Sequence, residues 1–359
     1  MDILNLPSDC LEKNCKIFID GIEDRTQQSI YFIKNEYEQK ELLYKMIEFM
    51  QYHFCNMMKS DINHIDRIDN FPINEAHYEL HFAFNHALIG SYKAAFADLR
   101  RSLEMSLTIP FFTIENYNNP GTLKEYKDEN LTFGENLWKC FEDSDNQPVF
   151  EKYMQFKDGE IKKANDWVKG NSNTPFFGGG MLKELIKTGR FKDINDECRW
   201  KGNLENLYHK ISDYGHNKGY KKSYNALNSP SSFINSIPIP TTKIETLKEF
   251  CDLYIETVQQ NLVILSLYNP LVLEGLPIEQ KFGFNEPASG FFSHYESELL
   301  WELLPKDYHA FFEKIRTTDN EVLDIVKWVM ERPDVSQEEF ENQIEQYNSL
   351  VKNLFTKDK

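Results

Sequence analysis

The sequence predicts an all-α protein, a multi-helix bundle with a smaller C-terminal helical module. Three observations support this fold class. Apolar residues recur at three- and four-residue steps over long stretches, and convincing alternating strands are absent. In addition, Pro- and Gly-rich runs separate the periodic stretches. The chain has 359 residues, of which 41% are hydrophobic and 14% aromatic, so it can bury a large core and is not globally disordered.

The first half of the chain contains two long periodic stretches. A helix is predicted over 27–59, and a second helix is predicted to begin at Pro72 and to close at Pro110. The stripe of the second helix has members at steps of four or three: Phe84, Leu88, Tyr92, Phe96, Leu99, Leu103 and Leu107. A less regular helical pattern covers 135–169, and a short amphipathic helix is predicted over 181–187.

The second half continues the helical pattern. A histidine-bearing helix is predicted from Leu204 to about Gly219, and a Ser/Pro linker follows over 229–240. A long amphipathic helix is predicted over 244–267. Shorter helices are predicted over 295–304, 308–316, 320–331 and 336–355.

Prolines and glycines cluster at residues 269–290, and this change of composition predicts a linker. The predicted domains are therefore a helical bundle over 1–268, which carries the motif helices described below, and a small helical module over 291–359.

The formal charge of −17 excludes a protein whose whole surface binds nucleic acid. Locally the sign reverses, because residues 187–222 hold nine Lys and Arg against five acids, with tyrosines interleaved. Basic residues among aromatics suit RNA phosphates and unstacked bases. The same basic residues could instead form ion pairs with acidic residues elsewhere in the chain, and the sequence leaves both interpretations open.

The six cysteines are scattered, with no CxxC pair and no histidines at zinc spacing, so we expect free thiols and no metal centre or other cofactor. The N-terminus lacks the pattern of a signal peptide, and the longest apolar run is too short to span a bilayer. We therefore expect a cytoplasmic protein that does not associate with membranes.

Two short segments concentrate the polar chemistry. On the first motif helix, Arg100 and Glu104 lie one turn apart beside the apolar stripe. They are either an intrahelical ion pair or a positioned guanidinium that binds phosphate or carboxylate. We expect this helix to pack against the second motif helix, with Arg100 or Glu104 close to Ser212 or His216.

On the second motif helix, polar residues share a sector of roughly 60°: Glu205, His209, Ser212 and His216. Histidines on such a face can move protons near neutral pH. The alternative is polarity at a helix interface, with His216 favouring the helix C-terminus and Ser212 bonding back to a carbonyl.

The segments L-R-R-S-L-E and L-Y-x-x-I-S-x-Y-x-H, which begin at Leu99 and Leu207, resemble all-α bacterial proteins of the HEPN superfamily and their uncharacterised relatives. The similar stretch runs over 74–267. Arg100 and Glu104 match the LRxxLE pattern of these relatives, and Ser212, Tyr214 and His216 match their SxYxH pattern. His216 matches the histidine of the HEPN ribonuclease motif, whereas Lys210 stands where that motif has arginine, six positions earlier.

The resemblance implies RNA as a partner and a metal-independent ribonuclease in a toxin–antitoxin or phage-defence setting. Arg100, Glu104 and His216 would then be catalytic, with His216 acting on a ribose 2′-OH and with Arg100 and Lys210 stabilising the phosphorane. The substrate-binding residues would be His209, Lys210, Ser212 and Tyr214. The alternative is a non-catalytic helical binding or scaffolding protein, with a protein partner or a second copy, in which the same residues form a structural polar network.

Overall fold

The computed structural model describes residues 8–57, 70–117, 178–187, 189–215, 242–276, 292–319 and 322–323. These residues contain ten α-helices: α1 (Ser8–Asn35), α2 (Lys40–Tyr52), α3 (Phe71–Leu88), α4 (Tyr92–Tyr117), α5 (Gly178–Leu185), α6 (Gly189–Cys198), α7 (Trp200–Gly215), α8 (Ile244–Tyr268), α9 (His294–Leu303) and α10 (His309–Thr318). They also contain one short parallel pairing, between β1 (Gly275–Leu276) and β2 (Phe292–Ser293). The predicted all-α fold class is confirmed.

The chain divides into two compact units, each assembled from segments that are distant in sequence. The described residues within Met1–Glu48, Glu75–Met105 and Lys201–Asn261 form unit one, and those within Phe49–Asn74, Ser106–Trp200 and Leu262–Lys359 form unit two. The predicted boundary at 269–290 stays a prediction, because residues 277–291 lie outside the described part of the chain.

The core of unit one is rich in aromatic side chains. Phe84 of α3 lies 5.5 Å from Tyr254 and 6.5 Å from Phe250, both on α8, measured between ring centroids. Phe96 of α4 packs against Phe250 at 5.8 Å with its ring nearly perpendicular. Offset and edge-on contacts of this kind are the arrangements that aromatic rings prefer. They hold α3, α4 and α8 together around one apolar centre.

A buried polar chain joins the same three helices. Ser102 Oγ donates to the carbonyl oxygen of Ala76 at 2.9 Å, and Asn261 Nδ2 donates to Ser102 Oγ at 2.8 Å. Ser102 and Asn261 are both fully buried. Since buried polar groups are costly unless bonded, this chain fixes the register of α4 between α3 and α8.

The prediction of one helix from Pro72 to Pro110 is wrong, because the chain breaks between α3 and α4. Gly90 adopts a φ of 77°, a left-handed conformation that ends a helix and that glycine adopts without strain. The carbonyl of His86 accepts from Ser91 N at 2.7 Å across this turn. Side chains of α1 bond the carbonyls at the end of α3 and in the turn after it: Ser29 Oγ donates to Leu88 O at 2.9 Å, and Arg25 Nε donates to Ile89 O at 2.9 Å.

Pro110 does not close a helix but lies inside α4, which continues to Tyr117. A proline inside a helix removes one backbone hydrogen bond and is costly. Here Leu107 and Ile109 beside it are almost completely buried, so tertiary packing opposes that cost. The prediction that Pro110 ends the helix is therefore wrong.

The helix predicted over 27–59 is also wrong in its bounds, since α1 begins at Ser8 and a turn separates it from α2. In that turn the carbonyl of Phe32 accepts from the backbone N–H groups of both Glu36 and Tyr37. The Tyr37 hydroxyl then donates to Asp252 Oδ1 of α8 at 2.8 Å. This long-range bond fixes a turn that the local apolar period does not reveal.

In unit two, β1 and β2 pair in parallel, with Gly275 opposite Phe292. A capping box begins α9, in which the Ser293 side chain and backbone bond reciprocally with Glu296. Glu296 also accepts from Asn56 Nδ2 at 3.0 Å and lies 3.2 Å from His53 Nδ1. Glu296 is only 6% exposed, so these partners satisfy a buried carboxylate.

Several sequence predictions fall on residues outside the described ranges. They are the helices over 135–169, 320–331 and 336–355, and the linker over 229–240. Among the described residues, no helix combines the length and apolar character that crossing a bilayer requires.

Candidate functional site

The two motif helices, α4 and α7, pack against each other within unit one, as the sequence predicts. Phe96 of α4 stacks on Tyr214 of α7, with ring centroids 3.7 Å apart and an angle of 14° between the planes. Further along α4, Glu104 Oε1 accepts a hydrogen bond from the Tyr208 hydroxyl at 2.5 Å. The residue numbers rise along α4 while they fall along α7, so the two helices are antiparallel.

Arg100, Glu104 and Tyr208 form one polar cluster, which we call the Arg–Glu–Tyr cluster. Arg100 Nε donates to Glu104 Oε1 at 3.1 Å, and the same oxygen accepts from Tyr208. The Arg100 guanidinium carbon lies 5.0 Å from the centroid of the Tyr208 ring, which adds a cation–π contact. The side chains of Arg100 and Glu104 are 28% and 20% exposed, so the cluster lies at the edge of the interface.

The electrostatics of this cluster are balanced. Burial, followed by the hydrogen bond with Glu104, raises the pKa of Tyr208, so the phenol stays protonated and remains a donor at neutral pH. The guanidinium and the carboxylate then carry opposite unit charges, and the cluster as a whole is neutral. Such a group can bind two helices together, but it attracts an anion far less than an arginine without a carboxylate partner would.

The remaining predicted residues of α7 are distributed around the helix. Ser212 and Tyr214 are buried, and Tyr214 has a side-chain hydrogen bond with Glu249 that, after burial, further raises its pKa. His209 and Lys210 are exposed, and Lys210 Nζ lies 3.2 Å from Glu256 Oε2. Tyr214 therefore faces α4, Ser212 is buried with a hydroxyl that has no hydrogen-bond partner among the described residues, and His209 and Lys210 face solvent.

His216 follows the last residue of α7 and lies outside the described residues. The expected proximity of Arg100 or Glu104 to His216 therefore stays a prediction. The expected proximity of Arg100 or Glu104 to Ser212 also stays a prediction. The hydrogen bond that Glu104 accepts across the interface comes from Tyr208, which lies one turn before Ser212.

Tyr208 is the residue that sequence reasoning did not assign to the site. It belongs to the L-Y-x-x-I-S-x-Y-x-H segment, but tyrosine on the flank of an amphipathic helix is common and carries no chemistry by itself. The missing signal was the register between the two helices. Pairing Phe96 with Tyr214 and counting along antiparallel helices brings Glu104 to within one helical turn of Tyr208.

Within the described part of the chain, no group of three or more His, Cys, Asp or Glu side chains is arranged to hold a metal ion. The described cysteines Cys55, Cys198 and Cys251 are free thiols. Burial raises the pKa of Cys55 to about 11 and that of Cys251 to about 12, so both stay protonated and poorly nucleophilic at neutral pH.

No protein-family model matches this chain, and no curated protein or solved structure is significantly similar to it. The resemblance to HEPN proteins therefore stays a prediction from the two short segments.

Proposed function

We propose that this chain is a HEPN-like helical binding or scaffolding protein without catalytic activity, in which the polar residues of the motif helices serve structure. The observation that carries the proposal is the neutral Arg–Glu–Tyr cluster. Arg100, the residue best suited to bind a phosphate, is held by Glu104 and lies over Tyr208. A guanidinium in this state has part of its hydrogen-bonding capacity and its charge already matched.

The basic segment supports the same conclusion. Five of its cations are paired with carboxylates inside their own unit: Lys187 with Glu184, Arg190 with Asp319, Lys192 with Asp196, Lys201 with Glu205 and Lys210 with Glu256. Each pair lowers the positive potential that would attract RNA. These ion pairs favour the interpretation that carboxylates of the same chain neutralise the basic segment over the interpretation that it binds RNA. We therefore propose that the partner is a protein or a second copy of this chain, in the cytoplasm.

The second candidate function is a metal-independent ribonuclease. The partial exposure of Arg100 favours it, since a guanidinium that Glu104 orients could still donate to a phosphate from its exposed side. In this reaction His216 would take the proton from the ribose 2′-OH, whose oxygen attacks phosphorus while the bond from phosphorus to the 5′-oxygen breaks. The 5′-oxygen would leave with a proton from water, and Arg100 and Lys210 would stabilise the charged phosphorane.

RNA binding and cleavage by the full chain separate the two candidates. Wild type, His216→Ala and Arg100→Ala are compared at about 50 mM salt, where electrostatic binding is strong, and again at about 200 mM. The scaffold proposal predicts no saturable binding and no cleavage by wild type. Cleavage that disappears in His216→Ala, with weaker salt-dependent binding in Arg100→Ala, would establish the ribonuclease instead.

A further inference from the structure

Two histidines outside the motif helices lie next to each other on α3. His77 and His81 are four residues apart, a spacing that puts both side chains on one face of a helix. Their ring centroids are 4.4 Å apart and their planes make an angle of 75°. Both side chains are half-buried, so the rings are ordered by their surroundings while part of each remains accessible to solvent.

The protonation state of this pair suits a metal ligand. Burial lowers the pKa of both rings, and the neighbouring His81 contributes to lowering that of His77 to about 4. Both imidazoles are therefore neutral at neutral pH, which is the form that ligates metal ions.

We propose that His77 and His81 bind a divalent transition-metal ion, such as Zn²⁺ or Cu²⁺, with water completing the coordination sphere. Imidazole nitrogen is a preferred ligand of these ions, and two histidines at this helical spacing form the ligand pair of helical zinc sites. Zinc binds imidazole nitrogen at ~2.0–2.1 Å, so two ligating nitrogens lie about 3 Å apart. The ring centroids are 4.4 Å apart, and both rings would rotate about their side-chain bonds to direct one nitrogen each at the ion, Nε2 in the case of His77, whose Nδ1 is buried.

The character of the site follows from its ligand count. The described residues place no third His, Cys, Asp or Glu beside the pair in a metal-binding arrangement. A site with two protein ligands keeps several coordination positions for water or for a small anionic ligand. We therefore infer an exchangeable site rather than a structural metal centre, with little affinity for Mg²⁺, which prefers oxygen ligands.

Titration calorimetry of the full chain with Zn²⁺ tests the proposal, with Mg²⁺ as the ion control. Wild type, His77→Ala and His81→Ala are compared with His209→Ala, which removes an exposed histidine of α7. The chain contains nine histidines, so the comparison of variants, and not binding alone, assigns the site. We expect Zn²⁺ affinity to fall about tenfold or more in both α3 variants and to stay unchanged in His209→Ala. Equal affinity in all four proteins would overturn the proposal.

Electron paramagnetic resonance of the Cu²⁺ complex provides a readout that does not depend on the stability of one variant. Wild type should show hyperfine coupling to two imidazole nitrogens, and His81→Gln should show coupling to one fewer. If His77→Ala fails to fold, this second comparison decides alone. Coupling to the same number of nitrogens in wild type and His81→Gln would contradict the site.

Discussion

At the scale of single residues, buried polar atoms in this protein fall into two groups that look identical in the sequence. Ser102 and Ser106 lie one turn apart on α4, and both are fully buried. Ser102 is bonded to Ala76 and Asn261, whereas the Ser106 hydroxyl has no hydrogen-bond partner among the described residues. Only the first contributes a connection between helices.

We therefore predict opposite outcomes for the two alanine substitutions. Ser102→Ala leaves the buried Asn261 amide without its partner, and it should lower the free energy of unfolding by about 1–3 kcal/mol. Ser106→Ala removes a buried hydroxyl that has no bond to lose, and it should change stability by less than about 0.5 kcal/mol or increase it. Urea denaturation of both variants, measured against wild type, checks the difference.

The residues of the candidate site could be predicted only in part, because some of their contacts are local in sequence and others are not. Arg100 and Glu104 were identified from their spacing on one helix, and the pair forms as expected. Tyr208 completes the cluster from another helix, and no local pattern encodes that contact. A hydrogen bond between residues 104 positions apart depends on how α4 and α7 align, which is a property of packing.

At the scale of elements, periodicity predicts helices well where packing does not interrupt them. The helix predicted over 244–267 is observed as α8 (Ile244–Tyr268), and its apolar stripe lies in the core. The break at Gly90 was missed because Leu88 and Tyr92 keep a four-residue step across the turn. The glycine is the local feature that indicates the break, but isolated glycines also occur within continuous helices, so Gly90 alone does not predict that the helix ends there.

Gly275 in β1 lies too close to the start of α9 to accept a side chain without a shift of the backbone. A Cβ atom there would lie 2.7 Å from the Cα atom of His294, a backbone atom that cannot move aside easily. Gly275→Ala should therefore shift the start of α9 or separate β1 from β2, and we expect a loss of about 1–3 kcal/mol. Calorimetric unfolding of this variant measures the loss.

Gly202 provides the matched control for this prediction. It lies in α7, and a Cβ atom there would meet no atom within 4 Å apart from its chain neighbours and the backbone of its own helix. Because alanine favours helix over glycine by roughly 0.5–1 kcal/mol, Gly202→Ala should be neutral or stabilising. Similar losses in both variants would contradict the close approach at Gly275.

At the scale of the whole molecule, tyrosines buried in unit one make stability depend on alkaline pH. The pKa values of Tyr37, Tyr92, Tyr208, Tyr214 and Tyr254 are all raised, chiefly by burial. For Tyr92, whose hydroxyl bonds to the backbone of Lys243, the pKa rises to about 12. The ordinary pKa of tyrosine is about 10, so the folded state resists deprotonation more than the unfolded state does.

We predict that the contribution of these tyrosines to the free energy of unfolding stays constant below about pH 10 and then falls as the pH rises through about 12. The sign follows because a raised pKa in the folded state contributes stability only while the group stays protonated. Near-ultraviolet absorbance, which reports phenolate, should rise together with the loss of helical circular dichroism. Complete ionisation of all tyrosines while the helical signal stays intact would contradict this coupling.

The charge of the whole chain also bears on the proposed function. A protein with a formal charge of −17 repels nucleic acid unless a local patch overcomes that field. The segment over 187–222, which holds a positive surplus, has five cations paired with carboxylates, so its contribution to such a patch is reduced. The sequence indicated the surplus, but the pairing partners, such as Asp319 for Arg190, could not be read from it.

The hydrogen bond between Glu104 and Tyr208 joins the two motif helices, and a double-mutant cycle tests its structural role most directly. Unfolding free energies are measured for wild type, Glu104→Gln, Tyr208→Phe and the double variant. Lys210→Ala and Glu256→Ala form the control cycle, since this ion pair is exposed and should couple by less than about 1 kcal/mol. We predict a coupling energy of about 1–2 kcal/mol between Glu104 and Tyr208. Effects that add within about 0.3 kcal/mol would show that the bond does not stabilise the interface and would contradict the structural role of the cluster.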